Sequence, residues 1–162
     1  MKYVLMFFTF LSVCTTADLL KIPLTLDGSR SVTIPNGVNS FDETFTISPS
    51  DDADFQKYLD KIKGYEIESI SIAPESWSGL QQTTFSGTFS LPDQNITVPI
   101  TNWSLSAYTY FPMSITPTQL ISIATALQNF GKLNIKFNGT VTNNTGGNLK
   151  LAIKVNLKIK VV

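Results

Sequence analysis

The chain has 162 residues, of which 43% are hydrophobic and 15% are charged, a composition typical of a packed globular domain. Twelve basic and twelve acidic residues give a net charge of zero, so no overall field favours binding to nucleic acid. Histidine is absent, which excludes Ser–His and Cys–His catalytic arrangements and removes the commonest general base and metal ligand. No sequence motif indicates a cofactor.

Residues 1–17 have the organisation of an export leader. A positive start at Lys2 precedes an apolar run over residues 3–13, which is shorter than the roughly 20 residues that span a bilayer. Two kinds of processing are open: lipidation of Cys14 as the mature N-terminus, or cleavage after Ala17. Because Cys14 is the only cysteine, residues 18–162 are predicted to form a single domain without an internal disulfide.

The first elements of the predicted domain are strands. Alternation of apolar and polar residues predicts a strand over residues 20–26, and Asp27–Gly28 is a typical turn pair before a returning strand at residues 32–34. Residues 41–47 alternate in the same way and predict a further strand. The beginning of the domain is therefore expected to be a hairpin followed by a third strand.

A helix is predicted from Ser48 to Gly64, with capping serines at its start, an apolar stripe, and glycine at its end. A strand over residues 65–72 follows, and a change of phase in its alternation predicts a β-bulge near Ser69. Residues 73–82 contain proline, glycine and serine and are predicted to be a loop.

The second half of the chain gives the clearer signals. Thr116 and Gln119 form a capping box with Pro117 between them, and Gly131 is placed to end the helix that they begin. The helix is predicted to bury Leu120, Ile123, Ala124, Leu127 and Phe130 on one face. Strands are predicted at residues 85–91, 96–101, 103–111, 133–142 and 149–161.

The two halves, about 20–82 and 83–162, resemble each other. Ile47-Ser48-Pro49 begins the first predicted helix and Ile115-Thr116-Pro117 begins the second. The predicted order in each half is strand–strand–strand–helix–strand, which indicates an internal duplication. We expect an α+β, mainly β fold: a curved antiparallel sheet or a β-sandwich with two packed helices.

The last predicted strand carries a stripe of lysines, which is the first candidate contact surface. Lys150, Lys154, Lys158 and Lys160 share the face opposite the apolar residues of that strand. One interpretation is contact with an anionic surface or lipid head groups. The other is a solvated strand face whose lysines discourage edge-to-edge pairing.

Three aromatic residues are the candidates for contact with a ligand: Trp77, Tyr108 and Tyr110. Tyrosine and tryptophan favour interfaces, and their rings can stack on sugars. Trp77 lies in the predicted Pro/Ser/Gly loop and is expected to be the most exposed of the three. Trp103 shares its parity with Leu105 and is expected in the core.

Two groups of acidic residues are candidates for chemistry. Glu66 and Glu68 would project from one strand face, as paired carboxylates of a glycosidase do, but solvated strand faces have the same pattern. Asp51, Asp52 and Asp54 lack the glycine and the distal glutamate of an EF-hand loop. Helix capping accounts for these three aspartates, so no metal site is predicted.

The leader with Cys14, and the segment Asp54–Lys63 leading into Ile67-Glu68-Ser69-Ile70, resemble small uncharacterised envelope lipoproteins of the Bacteroidetes group. The resemblance implies a protein of the cell envelope and brings no catalytic residues. A lipid-anchored form would lie at the outer membrane or the cell surface, and a cleaved form would be periplasmic or secreted.

Three functions are compatible with these features. The favoured one is a non-enzymatic exported envelope protein with a binding or assembly role, whose partner is an envelope protein or a glycan. The second is a carrier of an apolar ligand held between sheet and helices. The third is a carbohydrate-active hydrolase that uses Glu66 and Glu68 without histidine.

Overall fold

The computed structural model describes residues 19–143 and 145–162, so the predicted leader and Cys14 lie outside the described part of the chain. The described residues contain eight strands and two α-helices. The strands are β1 (Leu20–Ile34), β2 (Ser40–Ile47), β3 (Ile62–Trp77), β4 (Thr84–Leu91), β5 (Ile96–Ser104), β6 (Phe111–Pro112), β7 (Leu133–Thr142) and β8 (Gly147–Val161). The helices are α1 (Ala53–Gln56) and α2 (Pro117–Phe130). Single 3-10 turns lie at Pro49–Asp51, Leu59–Lys61 and Pro92–Gln94.

The strands form two four-stranded antiparallel sheets. Their orders are β1-β8-β3-β6 and β2-β7-β4-β5, so sequence neighbours such as β1 and β2 belong to different sheets. The prediction of a mainly β protein with antiparallel pairing and two helices is confirmed.

Strand β8 shows why these residues form a sheet with one buried face. Its apolar residues from Leu149 to Val161 are buried at every second position, and the residues between them are partly exposed. This alternation has the two-residue period of a strand with one face in the core. Buried residues of both sheets join one hydrophobic cluster, which also includes Phe55 of α1 and Ile123 of α2.

An aromatic cluster fills the core next to the β2-β7-β4-β5 sheet. Each strand of that sheet contributes one ring: Phe41 from β2, Phe137 from β7, Phe85 from β4 and Trp103 from β5. The rings of Phe85 and Phe137 are stacked with their centroids 4.3 Å apart. The ring of Trp103 also lies 6.5 Å from that of Phe111 in the other sheet, and its predicted place in the core is confirmed.

The predicted turn at Asp27–Gly28 is wrong. Strand β1 passes through both residues and pairs with β8 over its whole length, with Gly28 opposite Ile153. A Cβ atom at Gly28 would overlap with the side chain of Ile47. Glycine at this position therefore allows β1 to approach β2 closely and does not form a turn.

The first predicted helix is much shorter than expected. The structure has only one turn of α-helix, α1, between the two 3-10 turns, and Gly64 lies inside β3 instead of ending a helix. Pairing of Ile62 with Val161 and of Gly64 with Lys160 draws this segment into the sheet. Tertiary pairing thus overrides a local helical pattern, because long-range packing outweighs weak propensities.

The prediction of a loop at residues 73–82 is also wrong in part, because β3 continues to Trp77. The predicted strand over residues 103–111 is not formed: β5 ends at Ser104, and β6 comprises only Phe111–Pro112. In contrast, the predicted bulge near Ser69 is confirmed by a shift of register between Ile67 and Ser69.

Helix α2 has the predicted ends. Thr116 and Gln119 form both hydrogen bonds of the capping box, Pro117 is in the first turn, and Gly131 ends the helix at φ 65°. Ile123 and Leu127 are buried, whereas Phe130, predicted to be buried, is 68% exposed. Neither helix among the described residues has the length and apolarity to cross a membrane.

Candidate functional site on the outer face of the β1-β8-β3-β6 sheet

The lysine-bearing face of β8 lies at the centre of its sheet, because β8 pairs with β1 on one side and β3 on the other. We call this solvent-facing surface the outer face. Cross-strand hydrogen bonds tie it together: Thr25 donates to Asn156 over 3.1 Å, and Asn156 donates to Ser69 over 3.0 Å. These bonds join the side chains of three neighbouring strands into a continuous polar surface.

Three of the four predicted lysines interact with residues of the outer face. The ammonium group of Lys150 lies 2.9 Å from Glu75, and that of Lys154 lies 4.6 Å from the ring centre of Tyr110. Lys158 forms an ion pair with Glu68, and the hydrogen bond within this pair raises the pKa of Lys158. The paired acids favour the interpretation of the stripe as a solvated, charge-compensated strand face.

Glu66 also lies on the outer face, paired with Lys21 at 2.7 Å. The hydrogen bond from Lys21 is the main cause that lowers the pKa of Glu66 below its ordinary value. A general acid in a glycosidase needs the opposite shift, because it must hold its proton near neutral pH. The pairing of Glu66 with Lys21 and of Glu68 with Lys158 therefore does not favour catalysis by these two carboxylates.

A cavity of about 370 Å³ opens on the outer face at the other end of the stripe. Two small residues lie side by side at its floor, because Ala152 of β8 pairs with Ser29 of β1. Long side chains stand around this floor. The surrounding side chains that line the cavity are Asp27, Glu75, Tyr110, Lys150 and Lys154; we call this site the outer-face cavity.

Two of the three aromatic candidates lie elsewhere. Trp77, expected to be exposed in a loop, is instead the last residue of β3, only 7% exposed, and its indole N–H donates to the carbonyl of Leu80 over 2.9 Å. Tyr108 is 55% exposed at φ 49°, but it does not line the outer-face cavity. Tyr110, 39% exposed, is the candidate that the structure brings together with Lys150 and Lys154.

Sequence reasoning missed a second feature, a groove of about 530 Å³ between α2 and β3. Strand β6 pairs with β3 only at Ser71 and Ile72, and α2 packs against β3 beyond them. The helix contributes Leu120, Ile121 and Ala124 to the groove, and Ile121 is 68% exposed. The signal available in the sequence was Ile121, an isoleucine outside the predicted buried stripe.

The acidic segment before α1 has a structural role. A side-chain oxygen of Asp52 accepts from the backbone N–H of Asp54 over 2.8 Å and from that of Phe55 over 3.4 Å. Asp52 is therefore the N-cap of α1, as the capping interpretation predicted. Within residues 19–143 and 145–162, no group of three or more acidic side chains is arranged to hold a metal ion.

No protein-family model and no curated protein matches the chain. A solved structure from Desmodium yellow mottle tymovirus is similar with a TM-score of 0.35 and 12% identity, covering 99% of this chain and 96% of that one.

Proposed function

We propose that this protein is a non-enzymatic exported protein of the cell envelope with a binding or assembly role, and that it binds through the outer face. The observation that supports the proposal most directly is the convergence of Tyr110, Lys150 and Lys154 around one open cavity. Tyr110 comes from the segment before β6, whereas the two lysines come from β8. A concave site with a few convergent polar groups is the usual form of a binding site.

Rigid placement also supports a binding role. The floor of the outer-face cavity belongs to regular strands, and β8 is paired on both sides. A site built on strands holds its side chains more firmly than one built on loops, so less entropy is lost when a ligand binds.

The test is a binding assay with the full chain and a Bacteroidetes envelope polysaccharide preparation as the probe. The double change Tyr110→Ala and Lys154→Ala is expected to abolish binding, because it removes one wall of the cavity. Lys160→Ala is the matched control, since Lys160 belongs to the same stripe but not to the cavity. Absence of binding, or equal binding by both variants, would contradict the proposal.

The α2–β3 groove favours a second candidate function, that of a carrier for an apolar ligand. Its volume of about 530 Å³ and the contributions of Leu120, Ile121 and Ala124 suit a small apolar molecule. Native mass spectrometry would detect a co-purifying lipid, and Ala124→Trp should displace it by filling the groove. A protein that carries no lipid after expression in its native envelope would exclude this candidate.

Export and lipid anchoring are part of the proposal and depend on the leader. The intact mass of the mature protein distinguishes the two kinds of processing. A diacylglyceryl adduct on Cys14 is expected for an anchored protein, whereas an N-terminus at Asp18 would show release after cleavage. Retention of residues 1–17 would contradict both.

We also propose that the two sheets pack face to face as a jelly roll, an eight-stranded sandwich architecture that lectin and capsid domains share. The strand orders support it: shifting each strand number by four converts β1-β8-β3-β6 into β5-β4-β7-β2, which is the order of the second sheet. The same shift places β3, the strand after α1, on β7, the strand after α2. It supports an internal duplication of β1–β4 and β5–β8, whose boundary lies between Leu91 and Ile96 and not near residue 82 as the sequence predicted. A crystal structure in which β2–β3 and β6–β7 fail to superimpose would contradict the duplication.

A further inference from the structure

The charge balance of the outer-face cavity indicates what kind of ligand it suits. Two ammonium groups, Lys150 and Lys154, and two carboxylates, Asp27 and Glu75, line it together. Lys150 is paired with Glu75, and Asp27 is the β1 neighbour of Lys154. An anionic ligand would meet the two carboxylates and a cationic one the two ammonium groups, so neither finds a complementary field.

A neutral polyhydroxyl ligand matches this set of groups. Each hydroxyl both donates and accepts a hydrogen bond, whereas an ammonium group only donates and a carboxylate only accepts. The donors and acceptors that line the cavity can therefore be satisfied by one set of hydroxyls. Hydrogen bonds to charged groups are also stronger than those between neutral ones.

The shape of the cavity adds an apolar surface to these polar groups. The Cα atoms of Lys150 and Lys154 are separated by four residues of strand, about 13 Å at the usual rise per residue. Between them the small side chains of Ser29 and Ala152 leave space for a ligand. The ring of Tyr110 lines the same space and is 39% exposed. Lys154 lies over one face of this ring in a cation–π contact, so a ligand would pack on the opposite face or displace the ammonium group.

We propose that the outer-face cavity is a subsite for a neutral saccharide. The C–H face of a pyranose ring would pack on Tyr110 above Ala152, and its hydroxyls would bond to Lys150, Lys154, Asp27 and Glu75. This inference rests on the proposed binding role of the outer face and specifies its ligand. It also departs from the sequence-based hypothesis that the lysine stripe contacts anions.

The experiment presents the full chain to an array of neutral oligosaccharides and of uronic-acid or sulfated ones, and then measures affinity for the best neutral probe by calorimetry. Neutral sugars are expected to bind. Raising the salt from about 0.1 M to about 1 M shortens the Debye length from ~10 Å to ~3 Å and should leave that affinity nearly unchanged. Binding restricted to acidic sugars, and lost in high salt, would overturn the inference.

Variants locate the site. Tyr110→Ala removes the ring and Ala152→Phe fills the floor, and each should weaken neutral-sugar binding about tenfold or more, as loss of a central aromatic contact or of its space does. Lys160→Ala should bind normally. Thermal unfolding of each variant checks that it is folded, and Tyr110→Phe, which keeps the ring, should retain binding if the fold is intact.

The outcomes separate this inference from the proposed function. If no neutral sugar binds but the envelope polysaccharide is still captured and this capture is lost in the Tyr110→Ala and Lys154→Ala variant, the assignment to a neutral saccharide fails and the binding role stands. If neither probe binds, both fail. Neutral-sugar binding that is unchanged by Ala152→Phe would place the sugar elsewhere and overturn the assignment to this cavity.

Discussion

At the scale of single residues, glycines and charged pairs show most clearly what the fold demands. Gly28 lies in the middle of β1, where a Cβ atom would overlap with the side chain of Ile47 in β2. Gly64 of β3 has more room, because a Cβ atom there would meet Lys160 at an ordinary 3.7 Å. The two glycines therefore have different roles, although both lie in extended strands.

We expect Gly28→Ala to lower the free energy of unfolding by about 1–3 kcal/mol, as insertion of a methyl group into a filled site does. Gly64→Ala is the matched control and should be neutral or stabilising by about 0.4–1 kcal/mol, because alanine restricts the unfolded chain. Urea denaturation of both variants measures the difference. Equal stability of the two would show that β1 and β2 can separate at Gly28 without cost.

The pair of Lys21 and Glu66 gives a prediction for pH. The hydrogen bond from Lys21 lowers the pKa of Glu66 below its ordinary value of 4.5, so the pair stabilises the fold above that pH. This stabilisation is lost as the pH falls through the lowered pKa and Glu66 gains its proton. Lys21→Met should raise the pKa of Glu66, measured by the NMR titration of its side-chain carboxyl carbon.

Lys160→Met is the control for this titration, because Lys160 contributes less than Lys21 to the lowered pKa. It should move the pKa of Glu66 by a smaller amount in the same direction. A larger effect from Lys160→Met than from Lys21→Met would mean that the general field of the lysine stripe, and not the hydrogen bond from Lys21, sets this pKa.

At the scale of elements, the two helices differ in how much local sequence specifies them. Helix α2 has a complete capping box, a proline in its first turn and a glycine after its end, and these local signals agree with its packing against β3. Helix α1 has a cap at Asp52 but is limited to one turn, because the residues that follow soon enter β3. Local and tertiary preferences agree for α2 and fix its bounds, whereas they conflict for α1 and limit its length.

We expect Thr116→Ala to destabilise the protein by about 1 kcal/mol, the usual effect of removing a side-chain N-cap. Thr118 is exposed within the same helix, and Thr118→Ala should be neutral or slightly stabilising because alanine has the higher helix propensity. Chemical denaturation compares the two. A loss of equal size in both variants would show that the hydroxyl of Thr116 does not act as a cap.

At the scale of the whole molecule, the two predicted halves depend on each other for strand pairing. Strands β1 and β3 pair only with β6 and β8 within the described residues, and β2 pairs with β7. Every strand of the first half therefore takes its partner from the second. Pairing at such sequence separations gives a high contact order, which is typical of β proteins that fold in milliseconds to seconds.

Residues 1–82 expressed alone are accordingly expected to remain unfolded, because β1, β2 and β3 would be left without partners. Residues 83–162 expressed alone should also fail to fold, since β8 would have free edges on both sides. Mixing the two fragments should restore the circular dichroism spectrum of a β protein. A folded, monomeric 1–82 fragment would show that the halves are independent domains.

Local sequence was sufficient to predict several elements of this protein. Strict alternation marked β7 and β8, the capping box marked α2, and a change of phase marked the bulge at Ser69. These signals succeed because each is carried by residues close together in the chain. The same holds for Tyr110, Lys150 and Lys154 as individual candidates, because residue type alone suggests their chemistry.

Only the tertiary structure decided the rest. The continuous β1, the start of β3 at Ile62 and the burial of Trp77 follow from pairing with β8, more than 70 residues away in the sequence. The outer-face cavity arises in the same way, because the register of β1 against β8 brings Ser29 beside Ala152 and Asp27 beside Lys154. Local preferences are worth tenths of a kcal/mol per residue, whereas burial of a side chain in the shared core contributes about 1.5–3 kcal/mol, so packing prevails where the two conflict.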